Sequence, residues 1–222
     1  MGRYERTINL IGCDAFYKLS KKNVLIVGVG GVGSYAAEAV ARSGIGDITL
    51  MDGDVIEESN LNRQLVALGS TIGVNKALVM AERIKDIDSE KKVCALNRFY
   101  EKDDRLDLAK YDFIIDAIDK IEAKIALIEN ATKSGTRIIS SMGAGGKIQN
   151  ECFRVADISK THTCPLAKIV RKELRERGIY HLPVVFSDEK PVKSSGTIGT
   201  LSYVPATAGL IIAGYVIREL MG

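Results

Sequence analysis

The chain has 222 residues and a formal net charge of +3, from 31 basic and 28 acidic side chains. Hydrophobic residues make up 46% of the sequence and charged residues 27%, which is ordinary for a soluble globular protein and excludes intrinsic disorder and fibrous repeats. The charge is too close to neutral to predict nucleic-acid binding, although it does not exclude it. The four cysteines form no C-x-x-C pair, so we expect neither a disulfide framework nor a structural zinc site.

The sequence also lacks the marks of a secreted or membrane protein. Its first residues, MGRYERTINL, contain no signal-peptide core. The most apolar segment, residues 206–216, is too short to span a bilayer. We therefore expect a cytoplasmic protein with no membrane partner.

Strand-like and helix-like segments alternate through the first two thirds of the chain. Strands are predicted at residues 23–28, 47–52, 93–97, 111–116 and 136–141, and helices from the glycine-rich turn through residue 41, at 73–87 and at 122–133. This alternation predicts an α/β fold with a doubly wound, mainly parallel, Rossmann-like sheet. After residue 146 the pattern changes to an additional C-terminal region, with strands at 147–155 and 182–187 around a helix at 165–177 and a last helix at 206–220.

A glycine motif marks the first strand-to-helix turn. Gly28, Gly30, Gly31 and Gly33 fit the pattern G-x-G-x-x-G, which follows a strand and opens a helix. Such a turn brings backbone N–H groups close to a phosphate, and the helix N-terminus favours the anion. Asp52 ends the second strand, where a carboxylate can bind a ribose hydroxyl. This set alone favours NAD or FAD.

The residues that follow favour a nucleoside triphosphate instead. Asn60, Arg63 and Lys76 place amide and cationic groups beyond the ribose acid, as is expected where a triphosphate is held and cleaved. Asp119 follows the fourth strand, at the edge of the sheet where open α/β proteins bind ligands. A carboxylate there can hold Mg²⁺, which takes oxygen ligands and bridges phosphates.

With these motifs the sequence resembles the ubiquitin-activating-enzyme-like family, which includes the MoeB, ThiF and HesA proteins. The matching pieces are RYER, GVGGVG, DGDVIEESNLNRQ, GVNK and DAID. The resemblance implies adenylation of a carboxylate with ATP and Mg²⁺, in one adenylating domain over residues 1–222, with a nucleotide-binding part at 1–146 and a substrate-side and dimerisation part at 147–222. It implies that the glycines bind the phosphates, that Asp52 binds ribose, and that Asp119 binds Mg²⁺. It also implies that Asn60, Arg63 and Lys76 hold ribose and phosphates, and that Arg6 reaches into the partner's site of a homodimer.

The second half resembles one branch of that family, the tRNA threonylcarbamoyladenosine dehydratases. The matching pieces are GAGGKI, DISKT, PLA and VFS, and two departures are Cys164, where that branch has Asp, and a shortened loop after Ser187. The resemblance implies that threonylcarbamoyladenosine in the tRNA anticodon loop is the substrate. Its own carbamoyl group can attack the activated carboxylate, with proximity supplying the rate, so no enzyme nucleophile is needed.

Several alternatives remain open at the level of sequence. The first is activation of the C-terminal glycine of a ubiquitin-like sulfur-carrier protein, and the others are a non-catalytic nucleotide-binding module and an NAD-dependent oxidoreductase. Cys164 lies two residues after His162, so a Cys–His nucleophile is conceivable, although a small residue at a loop–helix junction is the favoured interpretation. The predicted helix at 165–177 has Lys168, Arg171, Lys172 and Arg175 on one face and Leu166, Ile169, Val170 and Leu174 opposite. The basic face is either a tRNA surface or a solvated helix side.

Overall fold

The structure is a computed structural model that describes residues 2–192 and 196–222. The strands are β1 (Asn23–Val27), β2 (Asp47–Met51), β3 (Lys92–Leu96), β4 (Phe113–Asp116), β5 (Ile138–Ser141), β6 (Phe153–Asp157) and β7 (Pro183–Ser187). The helices are α1 (Glu5–Ile11), α2 (Cys13–Ser20), α3 (Gly33–Arg42), α4 (Lys76–Ile87), α5 (Ile121–Ser134), α6 (Pro165–Glu176) and α7 (Tyr203–Met221).

These strands form one seven-stranded sheet in the order β3-β2-β1-β4-β5-β7-β6. All neighbouring strands are parallel except β6 and β7, which pair antiparallel with Phe153 opposite Ser187. The strand order reverses direction between β1 and β4, which is the switch point where such sheets bind ligands. The predicted α/β class with a mainly parallel sheet is therefore confirmed.

Alternate side chains of each central strand face opposite sides of the sheet, so the protein has two apolar cores. In β1, Val24 and Ile26 join the core under α3, α4 and α7, whereas Leu25 and Val27 join the core under α5 and α6. Continuous apolar strands such as this one are typical of a parallel sheet that is covered on both faces. The carboxyl ends of the central strands are held in place by these two cores, and the glycine motif lies at this end of the sheet.

The observed elements differ from the predicted ones in four places. Two short N-terminal helices, α1 and α2, were not predicted. Helix α4 begins at Lys76 rather than at residue 73, because Asn75 caps it by accepting a hydrogen bond from the Leu78 N–H. The strand expected at 147–155 is wrong in its first half, because a 3₁₀ turn at Asn150–Cys152 precedes β6. Helix α7 begins three residues earlier than expected, at Tyr203 rather than at 206.

The length of α7 also corrects the expectation that its apolar segment is too short for a bilayer. Within the described part of the chain, α7 is the one helix long and apolar enough to cross a membrane, with 19 residues and a mean hydropathy of 1.4. The helix packs mainly on α3 and also contacts the sheet. Its buried residues are Val204, Pro205, Ala208, Gly209, Ile212, Ala213, Val216 and Leu220. This burial is what a core helix of a folded domain shows.

Candidate active site

A cleft of about 1350 Å³ opens at the carboxyl ends of the central strands. Both predicted parts of the chain line it, since its walls include Gly30 and Asp119 from the first part and Leu166 and Ile169 from the second. Ligand clefts commonly hold about 300–1000 Å³. This one therefore has room for a nucleotide together with part of a second substrate.

The glycine turn lines the cleft. Gly28 has φ +89°, and a Cβ there would lie 2.6 Å from the carbonyl oxygen of Ala117, while a Cβ on Gly33 would lie 1.8 Å from the carbonyl oxygen of Gly28. Both positions thus require glycine, for the tight turn and for its contact with the loop after β4. Gly30 and Gly31 line the cleft. Their N–H groups have no hydrogen-bond acceptor among residues 2–192 and 196–222, so they are available to an anion.

Asp52 fixes the shape of this turn through hydrogen bonds from the backbone. It ends the second strand region at 8% exposure and accepts hydrogen bonds from the N–H groups of Val29 (2.6 Å) and Asp54 (2.8 Å). Burial raises the pKa of the Asp52 carboxyl above its usual range, although those two N–H groups and the nearby Lys76 charge favour the ionised form. The carboxyl lines the cleft and retains lone pairs for a further donor such as a ribose hydroxyl.

Lys76 is held at the first turn of α4. Its ammonium lies 2.8 Å from the Asp54 carboxylate, and the lysine is 6% exposed whereas the Asp54 side chain is 54% exposed. The preceding Asn75 donates to the backbone carbonyls of Asp52 and Asp54, both at 2.9 Å. Asn75 therefore fixes the acidic loop, and Lys76 pairs with its exposed carboxylate while lining the cleft.

Arg63 and Asn60 lie in the same loop but in different surroundings. Arg63 lines the cleft, and its guanidinium donates to the Ser59 carbonyl (2.8 Å) and to Asn62 Oδ1 (2.9 Å). Asn60 is 6% exposed and is not among the described residues that line the cleft. Its amide accepts from the Glu57 N–H (3.2 Å) and donates to Ser59 Oγ (3.2 Å), so it shapes the loop that presents Arg63.

Asp119 and Arg6 are both exposed, with different relations to the cleft. Asp119 lines it, and its carboxylate has no ion-pair or hydrogen-bond partner within the described residues. A free carboxylate beside a phosphate cradle fits the donor set of Mg²⁺, which binds through one or two carboxylates and phosphate oxygens. No group of three or more His, Cys, Asp or Glu with metal-site geometry occurs among residues 2–192 and 196–222. Arg6 lies on α1, outside the residues that line this chain's own cleft.

A buried charged cluster beneath the cleft was missed by the sequence analysis. Lys124 and Asp116 are both 0% exposed, with Nζ 2.7 Å from Asp116 Oδ2. The same ammonium donates to Ser140 Oγ (3.1 Å) and to the Ser141 carbonyl (3.0 Å), while the other Asp116 oxygen accepts from the Ile118 N–H (3.0 Å). The cluster ties α5 to the ends of β4 and β5. One feature of the sequence could have identified this cluster, because Lys124 interrupts the apolar stripe of α5 between Ile121 and Ile128.

The other wall of the cleft is formed by the loop after β5 and by α6, of which α6 belongs to the second part of the chain. Ile169 was expected to pack in the core, but it is 43% exposed and lines the cleft together with Leu166, Glu173 and Arg177. These four residues lie on one face of the helix, beside its buried face. A sequence pattern that divides a helix into one apolar and one polar face does not distinguish the cleft-facing side from the buried side. This wall is therefore apolar at Leu166 and Ile169 and charged at Glu173 and Arg177.

Two further expectations for α6 are altered by its contacts. Arg171 was placed on the basic face, but it is half-buried and donates to the carbonyl (2.8 Å) and hydroxyl (2.6 Å) of Thr161. Cys164 is 3% exposed, and the imidazole of His162 lies against Thr163 Oγ1 (2.9 Å) and Asp188 Oδ1 (3.3 Å). These contacts favour the structural interpretation of Cys164 over a Cys–His nucleophile.

The chain belongs to the ThiF family, whose profile matches residues 4–222. It is 41% identical over 240 residues to the tRNA threonylcarbamoyladenosine dehydratase of Bacillus subtilis, across 99% of this chain and 94% of that protein. A crystal structure of the Escherichia coli dehydratase TcdA with AMP has a TM-score of 0.92 and 36% identity, covering 99% of this chain and 94% of that one. A second, with ATP, has a TM-score of 0.91 and covers 99% and 93% at 36% identity. The family expected from the sequence motifs is thereby confirmed.

Proposed function

We propose that the protein is an ATP-dependent tRNA threonylcarbamoyladenosine dehydratase. The observation that carries this proposal is the likeness to such dehydratases along nearly the whole chain, which includes both walls of the cleft. Adenylation uses the wall built by the first part of the chain. Substrate choice depends on the wall built by the second part, and the likeness extends over that part as well.

The chemistry begins with the threonyl carboxylate attacking the α-phosphate of ATP, which yields an acyl adenylate and pyrophosphate. Arg63 and Lys76 hold the negative charge of the phosphates, and the N–H groups of Gly30 and Gly31 orient it. Mg²⁺, held by Asp119, would neutralise charge on the phosphate oxygens. Because these groups are positioned before the nucleotide binds, little reorganisation is needed during the reaction.

Ring closure follows without a covalent enzyme intermediate. The carbamoyl group of the same nucleoside attacks the activated carbonyl and AMP leaves, so that the nucleoside loses one water overall. Intramolecular attack is favoured by proximity, and the apolar wall at Leu166 and Ile169 keeps the adenylate away from bulk water. The surroundings of Cys164 agree with a mechanism that uses no thiol.

We further propose that the protein acts as a homodimer in which Arg6 completes the partner's cleft. Arg6 is exposed, and it has no ion-pair partner within the described residues. Large apolar side chains are exposed along the loop that carries Arg63 and at the start of α4, and large exposed apolar patches mark interaction surfaces. This surface consists of Val55 (47% exposed), Leu68 (56%), Ile72 (46%), Val74 (42%) and Leu78 (44%).

Mixing two inactive variants tests the dimer. Arg6→Ala and Arg63→Ala proteins should each be inactive alone, and their mixed heterodimers should regain activity because one of the two sites keeps both arginines. Mass spectrometry confirms subunit exchange. Heterodimers that form and stay inactive would refute action across the interface.

For the tRNA we propose the outer face of α6, formed by Lys168, Lys172 and Arg175, which are exposed. Arg171 is removed from this surface because its guanidinium is tied to Thr161. Cationic side chains at this spacing suit a phosphate backbone. A tRNA substrate and the burial of α7 also support a cytoplasmic protein with no membrane partner.

Substrate identity is tested by following ATP cleavage with two competing partners. tRNA that carries threonylcarbamoyladenosine should stimulate formation of AMP, and the nucleoside should lose the mass of one water. A ubiquitin-like sulfur-carrier protein should gain no adenylate at its C-terminal glycine. If the carrier is adenylated while the nucleoside mass stays constant, the alternative of sulfur-carrier activation replaces this proposal.

A further inference from the structure

Helix α1, which carries Arg6, contacts the rest of the chain mainly through α2 and through Ile11, which packs partly on the core. It has seven residues, and none of them is buried. Isolated helices shorter than about 12–15 residues are marginal in water, so the placement of α1 depends on what fixes its ends. At its C-terminal end Gly12 leads directly into α2. At its N-terminal end the preceding residues Arg3 and Tyr4 contact one carboxylate, that of Asp88.

Asp88 lies outside the cleft, and both oxygens of its carboxylate have hydrogen-bond or ion-pair partners. It is 6% exposed. Arg3 donates to its Oδ1 at 2.5 Å and Tyr4 Oη donates to its Oδ2 at 2.7 Å. The N–H of Glu90 also donates to Oδ1 (3.2 Å), and the Lys91 ammonium lies 4.0 Å from Oδ2. Although burial alone would raise it, these donors and charges together hold the pKa of the Asp88 carboxyl below its usual range.

The neighbours of Tyr4 and Lys91 extend this anchor. The Tyr4 ring packs against Phe16 with ring centroids 5.1 Å apart, and the Lys91 ammonium lies 5.4 Å from the centre of the Tyr4 ring. The same ammonium donates to the Ile45 carbonyl at 2.5 Å. Tyr4 is therefore held on two sides, and its hydroxyl has one orientation towards Asp88.

Asp88 follows the last residue of α4, the helix that begins with Lys76 in the cleft. One rigid helix of 12 residues, about 18 Å long, thus presents a cation to this chain's own site at one end and holds the arginine-bearing helix at the other. Arg6 itself lies two residues beyond Tyr4, in the first turn of α1, where small changes in the angle of the helix displace the guanidinium.

We propose that Asp88 is a positioning residue that fixes Arg6 for the cleft of a second copy of this chain. The inference rests on the proposed dimer. Asp88 lies outside the described lining of the cleft, and its effect is exerted through Arg3, Tyr4 and the orientation of α1. Displacement of a catalytic group by about 1 Å can cost on the order of a hundredfold in rate, so loss of the anchor should be severe for activity.

Complementation between variants tests this assignment. Asp88→Asn homodimers should lose about a hundredfold in tRNA-stimulated AMP formation, while ATP affinity stays within twofold of wild type. Mixed with Arg63→Ala, Asp88→Asn should regain activity, because one site then has an intact Arg63 and a correctly placed Arg6. Mixed with Arg6→Ala it should regain none, because no site receives a correctly placed arginine.

The controls separate this proposal from a general structural defect and from the dimer itself. Asp86→Asn changes an exposed acid on the same helix and should leave activity at the wild-type level. If Asp88→Asn does not fold, Arg3→Ala with Tyr4→Phe removes the same contacts and should show the same complementation. Suppose that the mixture of Arg6→Ala and Arg63→Ala recovers activity, while the mixture of Asp88→Asn and Arg63→Ala does not. This result would overturn the role of Asp88 and leave the proposed dimer standing. Failure of the first pair would overturn the dimer and this inference with it, as would full activity of Asp88→Asn.

Discussion

Replacing Lys124 by methionine tests the buried cluster beneath the cleft. The change removes the ammonium that donates to Asp116, Ser140 and the Ser141 carbonyl, in a place where both charged side chains are 0% exposed. Asp116 then stays buried with no cation, and breaking such a pair costs about 3–5 kcal/mol of unfolding free energy. For a chain of this size 1 kcal/mol shifts Tm by about 2–4 °C, so Tm should fall by about 6–20 °C. Urea unfolding and thermal melting measure both quantities.

The matched control uses the same substitution on the same helix. Lys133 is 68% exposed in its side chain and pairs with Glu129 at 2.7 Å. Lys133→Met should cost less than about 1 kcal/mol, because exposed ion pairs contribute little. Adding Asp116→Asn to Lys124→Met should restore much of the lost stability, since the unpaired carboxylate is gone. A Lys124→Met protein as stable as the Lys133→Met control would refute the reasoning.

Three other outcomes are expected. Asp119→Ala should lower AMP formation on the order of a thousandfold with unchanged melting, since the side chain is exposed; near-normal turnover would remove it from the site. Lys172→Glu with Arg175→Glu should weaken tRNA binding and flatten its salt dependence at unchanged ATP affinity, and equal binding in a filter assay across salt concentrations would refute the proposed surface. Because the pKa of Asp88 is lowered by folding, its contribution is present above the unfolded value of about 3.9 and is lost as the pH falls below it. Wild type should therefore lose more unfolding free energy than Asp88→Asn between pH 4 and pH 2, and parallel pH profiles would contradict this.

The sheet could be predicted because its signals are local. Each central strand is a short apolar run bounded by turn residues, and the glycine motif fixes the first strand and helix. The N-terminal helices could not be predicted in the same way. Helices α1 and α2 have seven and eight residues, which is shorter than the window of about 11–18 residues over which a helical apolar pattern is identified. Their position follows from long-range contacts such as Tyr4 with Asp88, which sequence spacing does not contain.

The candidate site was predictable to a similar degree. Residues that belong to compact motifs, such as Gly30, Arg63 and Lys76, lie on the cleft, and their roles in binding stay predictions. Errors arose where a side chain's role depends on a partner distant in sequence. Arg171 fits a solvent-exposed position by helical periodicity but is bound by Thr161, and Ile169 fits a core position but faces the cleft. A helix between a core and a cleft has a buried face, a face towards the cleft and a face towards solvent. A pattern of apolar and polar residues distinguishes only two of these three faces.

Two of the cationic residues that line the cleft, Arg63 and Lys76, differ in how firmly the protein holds them. Arg63 is held by neutral oxygens, those of Ser59 and Asn62, so a phosphate adds a charge partner without displacing one. Lys76 is paired with Asp54, whose exposed carboxylate binds it weakly. A nucleotide brings several phosphate oxygens, so it can replace Asp54 as the partner of Lys76 at little cost. A carboxylate substrate that binds without the nucleotide would have to compete with Asp54 for this lysine. We therefore expect the nucleotide to bind before the carboxylate, and the released Asp54 then stands free at the edge of the cleft.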